Sequence, residues 1–238
     1  TDVTSSPGAT TNDATPSFGF SSTEASTFQC QLDANAFAPC TSPITLGSTG
    51  DGSHTFTVKA TDAAGNTGPV TSYVWTIDTV APTITMSIKP PNPTNDSTPD
   101  FAFGADETVP AGFQCQLDGA VFAACTSPKT FGTTADGSHT FTVKGNDTAG
   151  NTGQTVYTWT IDTVAPTITL STKPVDPTND TTPDFAFSAS ETISGGFQCK
   201  LDAGAFAACT SPKTFGTTAD GPHTFTVKGA DSAGNNGS

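Results

Sequence analysis

The chain has 238 residues with 8 Lys and no Arg against 22 acidic residues, for a formal net charge of −14 at pH 7. This balance argues against nucleic acid or an anionic membrane surface as partner, because both are bound through basic patches that neutralise phosphate. Only 13% of residues are charged, so the acidity reflects missing cations more than a massed acidic surface, and no run of 18 apolar residues offers a membrane-inserting segment.

Thr, Ser, Gly, Pro, Asn and Asp fill most of what the hydrophobic residues leave, which is the vocabulary of strands joined by tight turns. The chain opens on TDVTSSPGAT, with neither an initiator Met nor a charged-then-apolar leader, and reads as a mature or excised stretch. Self-similarity organises the rest. Residues 82–153 align without gaps on 166–237 at an offset of 84, with 54 of 72 positions identical. An earlier, more divergent copy repeats FQCQLD, CTSP, DGSHTFTVK and D-x-A-G-N in the same order. A unit of this length can close its own core. The IDTVAPT phrases then divide the chain into domains at 1–80, 81–164 and 165–238.

Within the second unit the alternation has period two. Ile84, Met86 and Ile88 alternate with polar residues in a first strand, and Pro99 to Phe103 gives a second. Phe113–Leu117 and Val121–Cys125 flank a turn at Asp118, Gly119 and Ala120, predicting a hairpin. Thr130 and Phe131 suggest a short strand, His139–Gly145 the strongest one, and Tyr157–Ile161 the last. Six or seven short strands with Phe, Val and Trp facing inward describe an all-β Greek-key sandwich. The third unit stops at Asn235-Asn236-Gly237-Ser238, before a counterpart of Tyr157–Ile161, so it is predicted to lack its final strand and a core Trp.

The run GSHTFTVKGNDTAGN, preceded by FQCQLDGAVFAACTSP and followed by YTWTIDTVAPT, resembles the bacterial and archaeal immunoglobulin-like repeats of large secreted and cell-surface proteins. The likeness covers nearly the whole chain, three times over. It implies three tandem immunoglobulin-like or fibronectin-III-like sandwiches and a role as stalk, spacer or fibre unit, without fixing a ligand.

Six cysteines stand in pairs ten apart, Cys30/Cys40, Cys115/Cys125 and Cys199/Cys209, each across the predicted hairpin. Facing positions on antiparallel strands lie within disulfide reach, and a zinc site would need more ligands than one unit offers. Three intradomain bridges follow, and with them an oxidising, extracellular or cell-surface location. His54, His139 and His223 recur at the head of the strongest strand, where a turn or packing role is expected. Glu24, Glu107 and Glu191 recur as lone carboxylates without the second acid of glycoside chemistry. No catalytic residue is expected.

The D-x-A-G-N loops have two readings. The favoured one is an Asx turn, in which Asp caps its own loop and Gly takes a positive φ. In the other, Asp62, Asp78, Asp147 and Asp162 hold Ca²⁺ at domain junctions; apart from that ion no cofactor is expected. Lys59, Lys144 and Lys228 fall on the outward phase of their strand, against an isopeptide crosslink. Thr140 and Thr142 share that phase and read as a solvated face. Asn95, Asn146 and Asn179 head possible glycosylation triplets.

The function expected is structural, an extracellular filament or stalk reaching on the order of 100 Å from strands rising about 3.3 Å per residue. Its partners would be further copies of the chain, with the third domain completed by a donated strand. The alternatives are an adhesin module that recognises a glycan or protein, and the accessory domains of a secreted hydrolase.

Overall fold

The computed structural model describes all 238 residues, and every regular element is a strand. The first domain runs through β1 (Asp2–Ser5), β2 (Thr10–Thr11), β3 (Ser17–Ser21), β4 (Ser26–Leu32), β5 (Ala38–Cys40), β6 (Ile44–Thr45), β7 (Gly52–Asp62) and β8 (Thr71–Ile77). The second comprises β9 (Ile84–Ile88), β10 (Asp100–Ala105), β11 (Phe113–Leu117), β12 (Ala123–Cys125), β13 (Lys129–Thr130), β14 (Gly137–Asn146) and β15 (Thr152–Ile161). The third comprises β16 (Ile168–Thr172), β17 (Asp184–Ala189), β18 (Ser194–Leu201), β19 (Ala207–Cys209), β20 (Lys213–Thr214), β21 (Phe225–Ala230) and β22 (Asn236–Gly237).

Each domain packs a three-stranded sheet against a larger one. In the second these are β9-β10-β13 and β12-β11-β14-β15, and in the first β2 adds in parallel beyond β8. The chain changes sheet so that β13 pairs with β10 while β14 pairs with β11. These are the crossings that the predicted Greek key requires. Between the sheets lies the aromatic core. Phe101 sits 4.4 Å from Phe141 and meets Trp159 edge-on at 5.1 Å. Phe18, Phe56 and Trp75 repeat the arrangement in the first domain. Aromatic pairs in such offset or edge geometry add about 0.5–1.5 kcal/mol beyond the area they bury.

The third domain has the same strand order up to β21, but β22 spans two residues and pairs only with Gly229 and Ala230. Phe185 still stacks on Phe225 at 4.2 Å, yet no Trp covers them, and Phe187, Cys199 and Val227 alone form the buried cluster. The buried cluster of the third domain is correspondingly smaller than those of the first two.

Two local expectations change. The disulfides form, with Cα atoms 5.8 Å apart in all three, but their cysteines do not face one another. Cys115 pairs with Ala123 and Cys125 with Phe113, so each bridge runs diagonally across the hairpin between same-face positions two residues out of register, a spacing that sheet twist tolerates. Thr142 lies on the outward phase of β14 but is 9% exposed, as is Thr57 in β7. Both belong to central strands, where neighbours on either side cover a small side chain.

Candidate metal centre at the domain junctions

The D-x-A-G-N loop is an Asx turn in every domain. Asp147 Oδ1 accepts from the backbone N–H groups of Gly150 (2.7 Å) and Asn151 (2.9 Å), and Gly150 takes φ 97°, which only glycine adopts freely. The turn also does what an isolated Asx turn does not. Asn151 Nδ2 donates to Asp147 Oδ2 at 2.7 Å and to the carbonyls of Asp78 (2.7 Å) and Val80 (3.2 Å). The loop of the second domain thereby grips the linker arriving from the first. Asn235 repeats the grip, donating to Asp231 Oδ2 and to the carbonyl of Asp162. At this second junction Asn95 N–H also donates to the carbonyl of Ala233 at 3.1 Å, so the loops of adjacent domains touch directly.

Gripping the linker converges three carboxylates. Asp78, Glu107 and Asp147 place oxygens within 4.8 Å of one another, and Asp162, Glu191 and Asp231 do the same one domain further on. None of the six forms an ion pair with a lysine or histidine. Asp147 and Asp231 are each 5% exposed. Their burial works to raise the pKa but is outweighed by the asparagine side chain and the turn N–H groups, which hold both carboxyls below their ordinary value. Glu107 moves the other way, raised by loss of hydration and then by the charges of Asp147, Asp78 and Asp106. Glu191 is raised by the same causes, with Asp162 and Asp231 as its neighbours. The sets fit a hard divalent cation: all donors are oxygens, and bonds of about 2.3–2.6 Å let one Ca²⁺ reach ligands separated by up to about twice that distance.

The sequence singled out Asp62, Asp78, Asp147 and Asp162. The structure brings Asp78 to Asp147 and Asp162 to Asp231, and leaves Asp62 in no such group, its carboxylate bonded to the N–H and side chain of Asn66. Glu107 and Glu191, read as lone carboxylates, complete the two sets. Their recurrence at the offset of the repeat was the available signal, but only the linker path puts them beside the aspartates.

The histidines have partners that sequence reasoning missed. Asp33, Asp118 and Asp202 end the FQC-x-LD phrase in a left-handed conformation, φ 52–55°. That turn sends each carboxylate back to His54, His139 and His223, at 2.9, 2.7 and 2.8 Å from Nδ1, while Oδ1 caps the next strand N–H. The other ring nitrogen faces a backbone carbonyl, of Gly50, Ala135 or Ala219. Carboxylate and carbonyl both accept, so only the doubly protonated ring donates to both. The aspartate hydrogen bond accordingly raises each histidine pKa. A raised folded-state pKa gives stability that is fully present below the unfolded value of about 6.5 and is lost as pH rises through the folded value. Melting temperatures should therefore fall as pH rises from about 6 to about 9. Asp118→Asn should flatten the second domain's profile in calorimetry, while a slope unchanged in that variant would count against the pair.

The remaining candidates occupy the surface. Lys59, Lys144 and Lys228 place their ammonium groups over Phe37, Phe122 and Phe206 at 4.4, 4.1 and 4.3 Å, a cation–π contact between half-buried residues. Asn95 lies in the second junction, Asn146 accepts from Thr152 Oγ1, and Asn179 is exposed.

The family model for the bacterial Ig-like domain matches residues 2–79. No curated protein sequence matches the chain. Among solved structures it is similar to the fibronectin(III)-like modules of Clostridium thermocellum CbhA, with 14% identity and a TM-score of 0.41 over 68% of this chain and 93% of that one. It is also similar to a 1.5-MDa bacterial ice-binding adhesin, with 17% identity and a TM-score of 0.38 over 93% and 86%. The FN1-FN3 domains of chicken CNTN1 overlay at 13% identity and a TM-score of 0.34 over 96% and 92%. Scores of this size carry no inference about ligand or activity. The first unit thus matches the bacterial Ig-like domain, and the second and third units repeat its strand order and motifs, each with one disulfide.

Proposed function

We propose that this chain is an extracellular stalk, in which successive Ig-like domains are held in fixed relation by their junctions and stiffened by Ca²⁺. The observation that carries the reading is the repeated junction, where the same asparagine grips the linker and the same three carboxylates converge at both interdomain steps. A flexible string of beads needs neither. The disulfides support an oxidising location, where such bridges persist. Glu107 and Glu191 are raised first by loss of hydration and then by the neighbouring aspartate charges, so three carboxylates converge there at a cost in repulsion. A bound cation neutralises that repulsion and ties linker to domain.

Calorimetric titration of the chain with CaCl₂ should find two sites with Kd of about 10⁻⁴–10⁻³ M, the range of extracellular modules. X-ray scattering should show one extended form with the ion and a broader ensemble in chelator. Glu107→Gln combined with Glu191→Gln should bind no Ca²⁺ and scatter as the chelated protein does. Absence of Ca²⁺ binding would remove the ion from the account, whereas a chain flexibly bent under all conditions would overturn the stalk itself.

A further inference from the structure

The linker leaving each of the first two domains is held from both sides, and one of the two holds passes through a histidine. Between β15 and β16, Asp136 Oδ1 accepts from the N–H of Thr163 at 3.1 Å and from its hydroxyl at 2.9 Å, while Asp136 Oδ2 accepts from the same hydroxyl at 3.1 Å. The residue before Thr163 is Asp162, whose carbonyl Asn235 grips from the third domain. Asp51 binds Thr79 with the same three bonds, at 3.1, 2.9 and 3.1 Å. Thr79 in turn stands between the Asp78 and Val80 carbonyls that Asn151 grips. Each linker is pinned to the domain behind it by one aspartate, at the point where the domain ahead takes hold.

That aspartate sits on a loop with few supports. Thr134 N–H donates to the carbonyl of Ser97 at 2.8 Å, and Gly137 opens β14 with φ 133°. Ala135 and Asp136 lie between these anchors. His139 Nε2 stands 2.8 Å from the Ala135 carbonyl on one side, and Thr163 holds Asp136 on the other. The first domain repeats the arrangement: Thr49 N–H donates to the carbonyl of Ala14, and His54 Nε2 stands 2.9 Å from the carbonyl of Gly50, the residue before Asp51. The ring donates to that carbonyl only when doubly protonated. When one proton leaves, the charge-assisted bond to Asp118 keeps the other on Nδ1. The Nε2 lone pair then faces a carbonyl oxygen at a distance where two acceptors repel. The loop moves off, and Asp136 moves with it.

The charged groups on the elements around His139 are Asp118 on the hairpin turn, Asp136 on the loop and Asp162 beyond the end of β15, which presents the neutral Trp159 to the ring; Asp118 alone acts on the ring directly. Around His54 the corresponding groups are Asp33, Asp51 and Asp78, with Trp75 as the neutral neighbour, and Asp33 alone acts directly.

We propose that His54 and His139 are proton-operated catches on the two linkers. Doubly protonated, each ring holds the loop whose aspartate pins the outgoing linker; neutral, it releases the pin, and the junction slackens in alkaline medium. The inference rests on the fixed junctions of the stalk reading and adds the condition under which they loosen.

The test follows the intact chain by NMR and X-ray scattering from about pH 6 to about pH 9, the range that spans the histidine titration. Solvent exchange of the Thr79 and Thr163 N–H groups, corrected for its intrinsic pH dependence, should rise about 10-fold, with the midpoints of the His54 and His139 rings respectively. Over the same range one extended form should give way to a broader ensemble. Asp118→Asn should lower the midpoints of His139 and Thr163 together and leave those of His54 and Thr79 in place. Asp33→Asn should do the reverse, so each variant is the control for the other. Threonine exchange that ignores pH, or a Thr163 midpoint that stays put while that of the His139 ring moves, would overturn the proposal. Junctions equally fixed at both ends of the range overturn the catch and leave the stalk standing, whereas junctions equally loose at both overturn the stalk along with it.

Discussion

Trp159→Ala should destabilise the second domain by about 3–5 kcal/mol, the range for deleting a fully buried large aromatic. Trp159 is wholly buried, lies edge-on to Phe101, and stands opposite His139 across the β14–β15 ladder. Removing it strips one face from the phenylalanines of both sheets and leaves a space that short surface strands cannot collapse to fill. The variant approximates in the second domain the thinned core of the third. For a domain of this size the melting temperature should drop by roughly 15 °C or more. Trp75 is then the single tryptophan left and reports the first domain alone, whose fluorescence-detected melting should not move. Calorimetry showing the second transition within a few degrees of the parent would contradict this account of the core.

Gly153→Ala should have the next largest effect, through the junction. A Cβ at Gly153 would lie 1.8 Å from the carbonyl oxygen of Pro82, and one at Gly237 would lie 1.9 Å from that of Pro166. The obstacle is backbone, so no rotamer relieves it; either β15 or the linker must shift. Overpacking of this kind costs about 1–3 kcal/mol, with the upper end expected where main chain is displaced. Displacing the linker also moves the Asp78 and Val80 carbonyls from Asn151 and opens the carboxylate set. Gly153→Ala should consequently lower both the second domain's melting temperature and its Ca²⁺ affinity. Gly104→Ala, with nothing within 4 Å of the new carbon, serves as the control and should change neither appreciably.

These two positions differ in how far the sequence announces them. Alternating Phe, Val and Trp, punctuated by Gly, Pro and Asp, make the strands readable, because the side-chain period of a strand is local and one face must be buried. The same pattern exposes the missing counterpart of Trp159 in the third unit. Gly153 carries no such mark, since its requirement comes from a linker folded back from another part of the chain. The carboxylate sets behave likewise: Asp78, Glu107 and Asp147 come from a linker and two separate loops, and no spacing rule brings them together. Register was also hidden. The cysteines could be paired from the hairpin, but their diagonal offset depends on where the Asp118 turn centres the ladder. The left-handed Asp118 that sets this turn also supplies the partner of His139.

The diagonal disulfides carry a mechanical consequence. Tension along the chain enters the second domain through β9 and leaves through β15, and the bridge between β11 and β12 lies off that line. Each bridge closes a loop with a separation of ten residues, so even a domain pulled fully open keeps that loop out of the stretched length. At about 3.3–3.6 Å per residue, roughly 35 Å of slack per domain stays locked until reduction. A pulled array would thus lengthen in shortened steps, and the staple would limit extension without bearing the first load.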